Sequence, residues 1–178
     1  QRLCAGLRVR PTDIQAMGVG GLLQEIPTRP QQRDLQTATS GAPRITAVLL
    51  AAGRSTRMEG RNKLLLPFAG VPLVARTARA LIDSHVHETV AVTGHDHEAI
   101  TGALDGLALQ RVHNPDYASG MASSLKAGLK QVPDTADAAL VCLGDMPAVT
   151  AHDINRMIAA FSPEEGRGII VPAFKGKR

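Results

Sequence analysis

Residues 45–63 of the chain read ITAVLLAAGRSTRMEGRNK, an apolar run that ends in small residues and then in basic ones. Thr46 is the one polar residue of the apolar part, residues 45–50. A short apolar run that stops at glycine and polar residues is typical of a buried strand that delivers a loop to the edge of a sheet. Ligands bind at that edge in open α/β sheets. The stretch therefore predicts a central strand followed by a binding loop.

The loop after this strand combines small residues with positive charge. Residues 51–53 are Ala-Ala-Gly, so their backbone N–H groups are accessible to an anion. Arg54, Arg57 and Lys63 then bring three positive charges within ten residues. This combination predicts a phosphate cradle. An ordinary turn with solvated basic residues remains the alternative, because glycine-rich loops are weakly specific.

The composition favours one soluble α/β domain with a short appendage. The chain has 178 residues, of which 44% are hydrophobic and 20% charged. Aromatic residues are so scarce that the core must consist of Ala, Val, Leu and Ile, as in parallel sheets buried on both faces. The net charge of +4 occurs without a long basic run or stacking aromatics, so it favours a polyphosphate ligand over a nucleic acid.

The cysteines and the hydropathy predict the compartment. Cys4 and Cys142 fit no disulfide or metal pattern, which favours a reducing environment. No apolar stretch approaches the roughly 18 residues of a membrane span, and no signal peptide is evident. We therefore expect a cytoplasmic protein with no membrane partner.

The chain divides at about residue 44. Residues 1–44 contain four prolines and little periodicity, which predicts a linker or the remnant of a preceding domain. From residue 45 on, strand-like and helix-like patterns alternate, which predicts a parallel, right-handed, three-layer α/β sheet. We predict strands at 45–51, 88–93, 109–113, 138–143 and 168–172, and helices at 73–84, 96–104, 121–131 and 151–161.

Asp145 follows the most hydrophobic predicted strand, AALVCL at residues 138–143. A carboxylate at the carboxyl end of a central strand faces the same crevice as the loop at residues 51–63, called the glycine loop below. It is suited to hold Mg²⁺ against phosphate oxygens. A turn aspartate that caps the following residues is the alternative interpretation.

Two further segments end strands on the same predicted edge. Thr93 and Gly94 follow one strand, and residues 113–129, HNPDYASGMASSLKAGL, run from the end of another strand into a helix. Hydroxyl and free N–H groups at a helix start can bind a ribose, a base edge or a phosphate. A helix cap with a plain loop is the simpler interpretation of this segment.

These motifs together resemble one family. LAAGRSTRM followed by NK is similar to the signature L-A-A-G-x-S-x-R-M-G…K of the MobA-like NTP transferases, which include the sugar-phosphate and molybdenum cofactor nucleotidyltransferases. The quartet GDMP at 144–147 is also a family hallmark. Residues 114–124 resemble the N-P-x-[YW]-x-x-G-[ML]-x-x-S segment of the molybdenum cofactor cytidylyltransferase branch. Glu59 departs from the pattern, because the family usually has glycine after the methionine.

The resemblance implies a fold and a domain organisation. The fold would be a Rossmann-like three-layer α/β/α sandwich with a mostly parallel sheet, of the nucleotide-diphospho-sugar transferase type. It would span residues 45–178 and be incomplete at its C-terminal end. Within residues 1–44, the phrase TDIQAMGVGGLLQEIPTRPQ at residues 12–31 is similar, with low specificity, to the end of a molybdopterin-binding domain.

The resemblance also implies an activity: Mg²⁺-dependent transfer of CMP from CTP onto molybdopterin or its molybdenum-loaded form, with release of pyrophosphate. GTP is the competing nucleotide, and a molybdoenzyme or cofactor chaperone is the implied protein partner. Cytidylyl transfer to a sugar or polyol phosphate, as with methylerythritol phosphate, and a non-catalytic nucleotide- or cofactor-binding module are the alternatives.

The same resemblance assigns roles to residues of this chain. Arg57, Lys63 and Asp145 would be catalytic, with Asp145 also the metal ligand. The nucleotide-binding residues would be Leu50, Ala51, Ala52, Gly53, Arg54, Ser55, Lys63, Thr93, Gly94, Asn114, Gly120 and Ser124.

Overall fold

The computed structural model describes residues 5–7, 42–54 and 62–172. Ser55, Arg57 and Glu59 lie outside the described residues, as does the greater part of residues 1–44. The strands are β1 (Ala5–Leu7), β2 (Ile45–Ala51), β3 (Pro67–Phe68), β4 (Val71–Pro72), β5 (Glu88–Thr93), β6 (Gln110–His113), β7 (Ala138–Leu143) and β8 (Ile169–Ile170). The α-helices are α1 (Leu73–Ile82), α2 (His97–Ala103), α3 (Met121–Leu129) and α4 (Ala151–Ala160).

The main sheet has the strand order β6-β5-β2-β7-β1-β8. β2 pairs in parallel with β5 on one side and with β7 on the other, and β6 pairs in parallel with β5. β1 runs antiparallel to both β7 and β8, so the sheet is mostly parallel. The chain builds outward from β2 to β6 and then crosses to β7 on the opposite side. The strand order therefore reverses between β2 and β7, which is where α/β sheets form their binding crevice.

Both faces of β2 are covered, because successive side chains of a strand point to opposite faces. One face carries Leu49 and packs against α1, α2 and α4 in a large apolar cluster. The other face carries Val48 and Leu50 and packs, together with Val92, under α3. All seven residues of β2 are buried. The predicted three-layer α/β fold is confirmed.

The predicted strands and helices from residue 45 on are all present, with ends that differ by at most a few residues. The described elements that were not predicted are all short: β1, the two strands of the β3–β4 hairpin and the one-turn 3₁₀ helices at Lys63–Leu65, Tyr117–Ser119 and Pro163–Glu165. Each has only two or three residues, so none of them shows a periodicity that a sequence pattern can reveal.

Cys142 corrects one expectation. It is buried in β7 and disulfide-bonded, so the prediction of unpaired cysteines is wrong for this residue. Cys4 lies outside the described residues. Sequence spacing failed here because a disulfide depends on proximity in the fold rather than along the chain.

None of the helices in the described part of the chain has the length and the hydrophobicity that a membrane-spanning segment requires.

Gly128 sets the distance between α3 and the sheet. A Cβ added there would overlap the Val48 side chain and lie 2.9 Å from Cγ2 of Val92. Only a residue without a side chain permits this close approach, since neither valine can move out of a packed interior without cost.

We predict that Gly128→Ala lowers the free energy of unfolding by about 1–3 kcal/mol, because the added methyl overpacks the α3–sheet interface. The matched control is Gly102→Ala in α2, where an added Cβ meets nothing within 4 Å. Because alanine favours the helix, that variant should match or exceed the parent stability. Urea denaturation of the three proteins tests this, and equal stabilities would contradict the packing role of Gly128.

Candidate functional site

Four parallel strands end along one edge of the sheet, and backbone hydrogen bonds connect neighbouring ends. The carboxyl ends belong to β6, β5, β2 and β7, in that spatial order. Backbone groups just beyond the strands link neighbouring ends, so the edge is one connected surface. The hydrogen bonds run from Gly144 N to Leu50 O (2.9 Å), from His95 N to Ala52 O (3.3 Å) and from Asn114 N to Thr93 O (2.8 Å).

Lys63 and Asp145 meet at this edge. The Lys63 Nζ lies 3.2 Å from Oδ2 of Asp145, although the residues are 82 positions apart. Their side chains are 47% and 38% exposed, so the pair is accessible to a ligand. The structure thus brings together the cation and the carboxylate that the sequence placed in one crevice, beside the point where the strand order reverses.

The turn that carries Asp145 is fixed by α1. The Thr77 hydroxyl, fully buried, lies 3.2 Å from the carbonyl oxygen of Gly144 and 3.1 Å from that of Leu73. The Arg76 Nε donates to the carbonyl oxygen of Pro147 at 2.8 Å. A Cβ on Gly144 would lie 3.2 Å from Leu50 O, so the turn fits closely against β2. Sequence reasoning missed Thr77, a polar residue on the apolar face of α1.

A capping box starts α4 five residues after Asp145. The Asp153 backbone N–H donates to the Thr150 hydroxyl, and that hydroxyl and the Thr150 backbone N–H both donate to the Asp153 carboxylate. The hydrogen bond from the Thr150 hydroxyl is the main reason that the pKa of Asp153 lies below its ordinary value. The cap anchors the far end of the segment that carries Asp145.

Asn62 and Asp96 connect the end of the glycine loop to the end of β5. Asn62 is buried, accepts the backbone N–H of Leu64 at 3.0 Å and donates to Oδ2 of Asp96 at 3.1 Å. Sequence reasoning missed both residues. The position of Asn62 directly before Lys63 was the one available signal.

The glycine loop is described only at its start. Leu50, Ala51 and Ala52 are buried, whereas Gly53 and Arg54 are exposed. A Cβ added to Gly53 would meet no atom within 4 Å, so packing among the described residues does not require glycine there. The predicted roles of Ser55 and Arg57 concern residues outside the described part. The anion-binding role of the loop stays a prediction.

Thr93 and Gly94 are packed tightly at the end of β5. Thr93 is fully buried, and its hydroxyl lies 3.2 Å from Val112 O and 2.7 Å from Nδ1 of His97. A Cβ on Gly94 would lie 2.5 Å from Cβ of Tyr117. Packing alone thus accounts for the glycine. Contact of either residue with a nucleotide stays a prediction.

Asn114 joins the end of β6 to the start of α3. Its buried amide donates to the hydroxyls of Ser123 (2.9 Å) and Ser124 (3.0 Å), and its Oδ1 accepts the backbone N–H of Asp116 (3.0 Å). Gly120, with φ +120°, precedes α3 and is exposed. The predicted residues therefore lie at the edge, but Asn114 and Ser124 are buried and bonded to each other.

Comparison with known proteins gives a family and several relatives. The model of the MobA-like NTP transferase domain matches residues 47–178. Nicotine blue oxidoreductase from Paenarthrobacter nicotinovorans is 34% identical over 121 residues, which cover 68% of this chain and 59% of that protein.

Two solved structures are similar in fold and sequence. A nucleotidyl transferase from Methanothermobacter superimposes with a TM-score of 0.61 at 33% identity, over 67% of this chain and 58% of that one. Rv0371c from Mycobacterium tuberculosis, in complex with manganese, gives a TM-score of 0.56 at 28% identity, over 66% of this chain and 59% of that one. This chain thus spans about three fifths of the length of each of these relatives.

We predict that Thr77→Val lowers the free energy of unfolding by about 1–2 kcal/mol, because the buried carbonyl of Gly144 loses its hydroxyl partner. The matched control is Thr101→Val in α2, since the buried hydroxyl of Thr101 has no hydrogen-bond partner among the described residues. Both changes carry the same helix-propensity cost. Thermal unfolding should therefore separate the two variants, and an equal effect at both sites would exclude the role given to Thr77.

Proposed function

Because the chain belongs to the MobA-like NTP transferase family, we propose that it transfers a nucleoside monophosphate from a nucleoside triphosphate to a phosphorylated acceptor and releases pyrophosphate. The observation that carries this proposal is the contact between Lys63 and Asp145 at the carboxyl edge, between β2 and β7. An ammonium group suits phosphate oxygens, and a carboxylate suits a divalent cation. The contact between this ammonium and this carboxylate at one edge supports a binding site for a polyphosphate and its cation.

The transfer needs no protein nucleophile, because a terminal phosphate of the acceptor attacks the α-phosphorus of the nucleotide. The protein supplies position and charge instead. We assign Lys63 to the triphosphate, where its ammonium stabilises the charge that develops on the leaving pyrophosphate. The backbone of Ala52 and Gly53, with Arg54, would bind the same phosphates, and Arg57 and Ser55 complete the assignment from sequence alone.

The carboxylate of Asp145 fits a shared Mg²⁺ site. It is a hard oxygen ligand and partly exposed at the edge. Among the described residues, no three His, Cys, Asp or Glu side chains gather into a metal site. Asp145 would therefore hold the cation together with phosphates of the nucleotide and water, which are common Mg²⁺ ligands in nucleotide sites. Bound there, Mg²⁺ would neutralise phosphate charge.

The finer assignment is CTP as nucleotide and a molybdopterin-type molecule as acceptor. It rests on residues 114–124, whose pattern resembles the cytidylyltransferase branch and which lie along the same edge. GTP is the competing nucleotide. A molybdoenzyme or cofactor chaperone would receive the product, in the cytoplasm, where nucleoside triphosphates are made.

One relative supports a second candidate. The P. nicotinovorans protein, 34% identical to this chain, bears the name of an oxidoreductase. The same crevice would then hold a redox dinucleotide, which also carries phosphates. A ligand panel that includes both kinds of nucleotide distinguishes the two functions.

We predict that Lys63→Ala lowers the rate of acceptor-dependent pyrophosphate release by about 10²–10³-fold, because the charge on the leaving group loses its cation. The reaction contains CTP, Mg²⁺ and purified molybdopterin, with methylerythritol phosphate as the alternative acceptor. Lys130→Ala is the matched control, since Lys130 is exposed at the end of α3. It should retain the parent rate.

An equal rate for Lys63→Ala and the parent would contradict the role of Lys63. If the parent binds CTP and releases no pyrophosphate with either acceptor, the domain is a non-catalytic binding module. Product formed only with methylerythritol phosphate would assign the sugar-phosphate alternative.

We predict that CTP with Mg²⁺ raises the melting temperature most in a panel of CTP, GTP, ATP, UTP, NADPH and FAD. A ligand that binds only the folded state stabilises it by RT ln(1 + [L]/Kd), so the size of the shift ranks the affinities. Repetition with EDTA tests the requirement for the metal. A response to NADPH or FAD alone would replace the transferase proposal with the oxidoreductase one.

A further inference from the structure

We propose that Asn62 and Asp96 are positioning residues for Lys63. Their hydrogen bond would hold the ammonium of Lys63 at the crevice, in reach of a triphosphate. The inference rests on the proposed function only for the identity of the ligand. The placement of Lys63 itself can be measured without any turnover.

Asn62 fixes the backbone of Lys63 from the amino-terminal side. Its Oδ1 accepts the N–H of Leu64, and its carbonyl oxygen accepts the N–H of Leu65 at 3.1 Å, which together form the 3₁₀ turn. Leu64 is buried in the main apolar cluster on the other side of Lys63. Lys63 therefore lies between two buried, anchored residues, and only its own side chain extends outward.

Asp96 anchors Asn62 to the end of β5 in an unusual way. It occupies the N-cap position of α2, where an aspartate ordinarily accepts an N–H from the first turn of its own helix. Here the side chain makes no such cap bond. Its Oδ2 instead accepts from Nδ2 of Asn62, 34 residues earlier in the chain, at 3.1 Å, and lies 3.5 Å from Nε2 of the adjacent His95. The side chain of Asp96 thus makes a tertiary contact beside Lys63 and does not cap its own helix.

The backbone conformation of Asp96 supports the same role. Its φ is +52°, in the left-handed region that non-glycine residues rarely adopt. Asparagine and aspartate tolerate this conformation best among residues with a side chain. The position therefore combines a special backbone with a side-chain acceptor aimed at Asn62. Replacement by asparagine keeps the tolerance for this backbone and supplies an amide that can donate to a carboxylate at position 62, which makes a reciprocal exchange of the two residues possible.

The exchange provides the test. In Asn62→Asp, two carboxylates face each other and the hydrogen bond is lost, and in Asp96→Ala the acceptor is lost. In the double variant Asn62→Asp with Asp96→Asn, the donor and acceptor are swapped, the bond can re-form, and the net charge equals that of the parent. A carboxylate at position 62 would still accept the Leu64 N–H. The control Asn155→Asp adds the same charge at a distant site, where Oδ1 accepts the His85 N–H.

Two readouts follow Lys63 directly. The first is the acetylation rate of its amine, measured by mass spectrometry against Lys130 in the same sample. The second is the Kd for CTP with Mg²⁺, measured by titration calorimetry. We expect each disrupted single variant to change the relative acetylation rate at least about twofold and to weaken CTP binding about tenfold, because the buried amide of Asn62 has lost its hydrogen bond to Asp96. The double variant should restore both values, and Asn155→Asp should change neither.

A purely structural role gives a different result. The single variants would then lower the melting temperature but leave the acetylation of Lys63 and the CTP affinity of the folded protein at parent values, which would overturn the proposal. Failure of the double variant to restore acetylation would overturn it as well. If acetylation follows the expected pattern while the parent releases no pyrophosphate, the positioning role stands and the transferase proposal fails.

Discussion

The parallel pairing of β2 with both β5 and β7 is the constraint on which the rest of the structure depends. Because β2 is buried along its whole length, each neighbouring strand must present an apolar face to both helical layers. Parallel neighbouring strands end on the same edge of the sheet, so the loops that follow them lie next to each other. The reversal of strand order beside β2 then brings the start of the glycine loop and the turn that carries Asp145 to the same edge of the sheet.

At that edge, side chains from other elements hold the backbone segments that carry Lys63 and Asp145. Thr77 holds the carbonyl of Gly144, and Asn62 holds the turn that begins at Lys63. Buried neutral hydrogen bonds are suited to this task, since they are directional and are not screened by salt. The exposed ion pair contributes little to stability by comparison, and its surroundings determine where it lies.

The sequence predicted the long strands and helices because burial on both faces produces uninterrupted apolar runs, as in residues 138–143. It also placed Asp145 and Lys63 at one edge, from the rule that parallel strands end together. It missed Thr77 and the Asn62–Asp96 contact, because each joins residues that lie apart in the chain and has no periodicity. The disulfide bond of Cys142 was not predicted for the same reason.

Asn114 shows what such a framework implies for molecular recognition. Its buried amide is bonded to Ser123, Ser124 and the backbone N–H of Asp116, and these bonds join the end of β6 to the start of α3. Asn114 and Ser124 thus belong to the scaffold, whereas neighbouring side chains such as Met121, which is 65% exposed, are accessible to a ligand. Two chains with the same motif could in this way favour different molecules without any change in architecture.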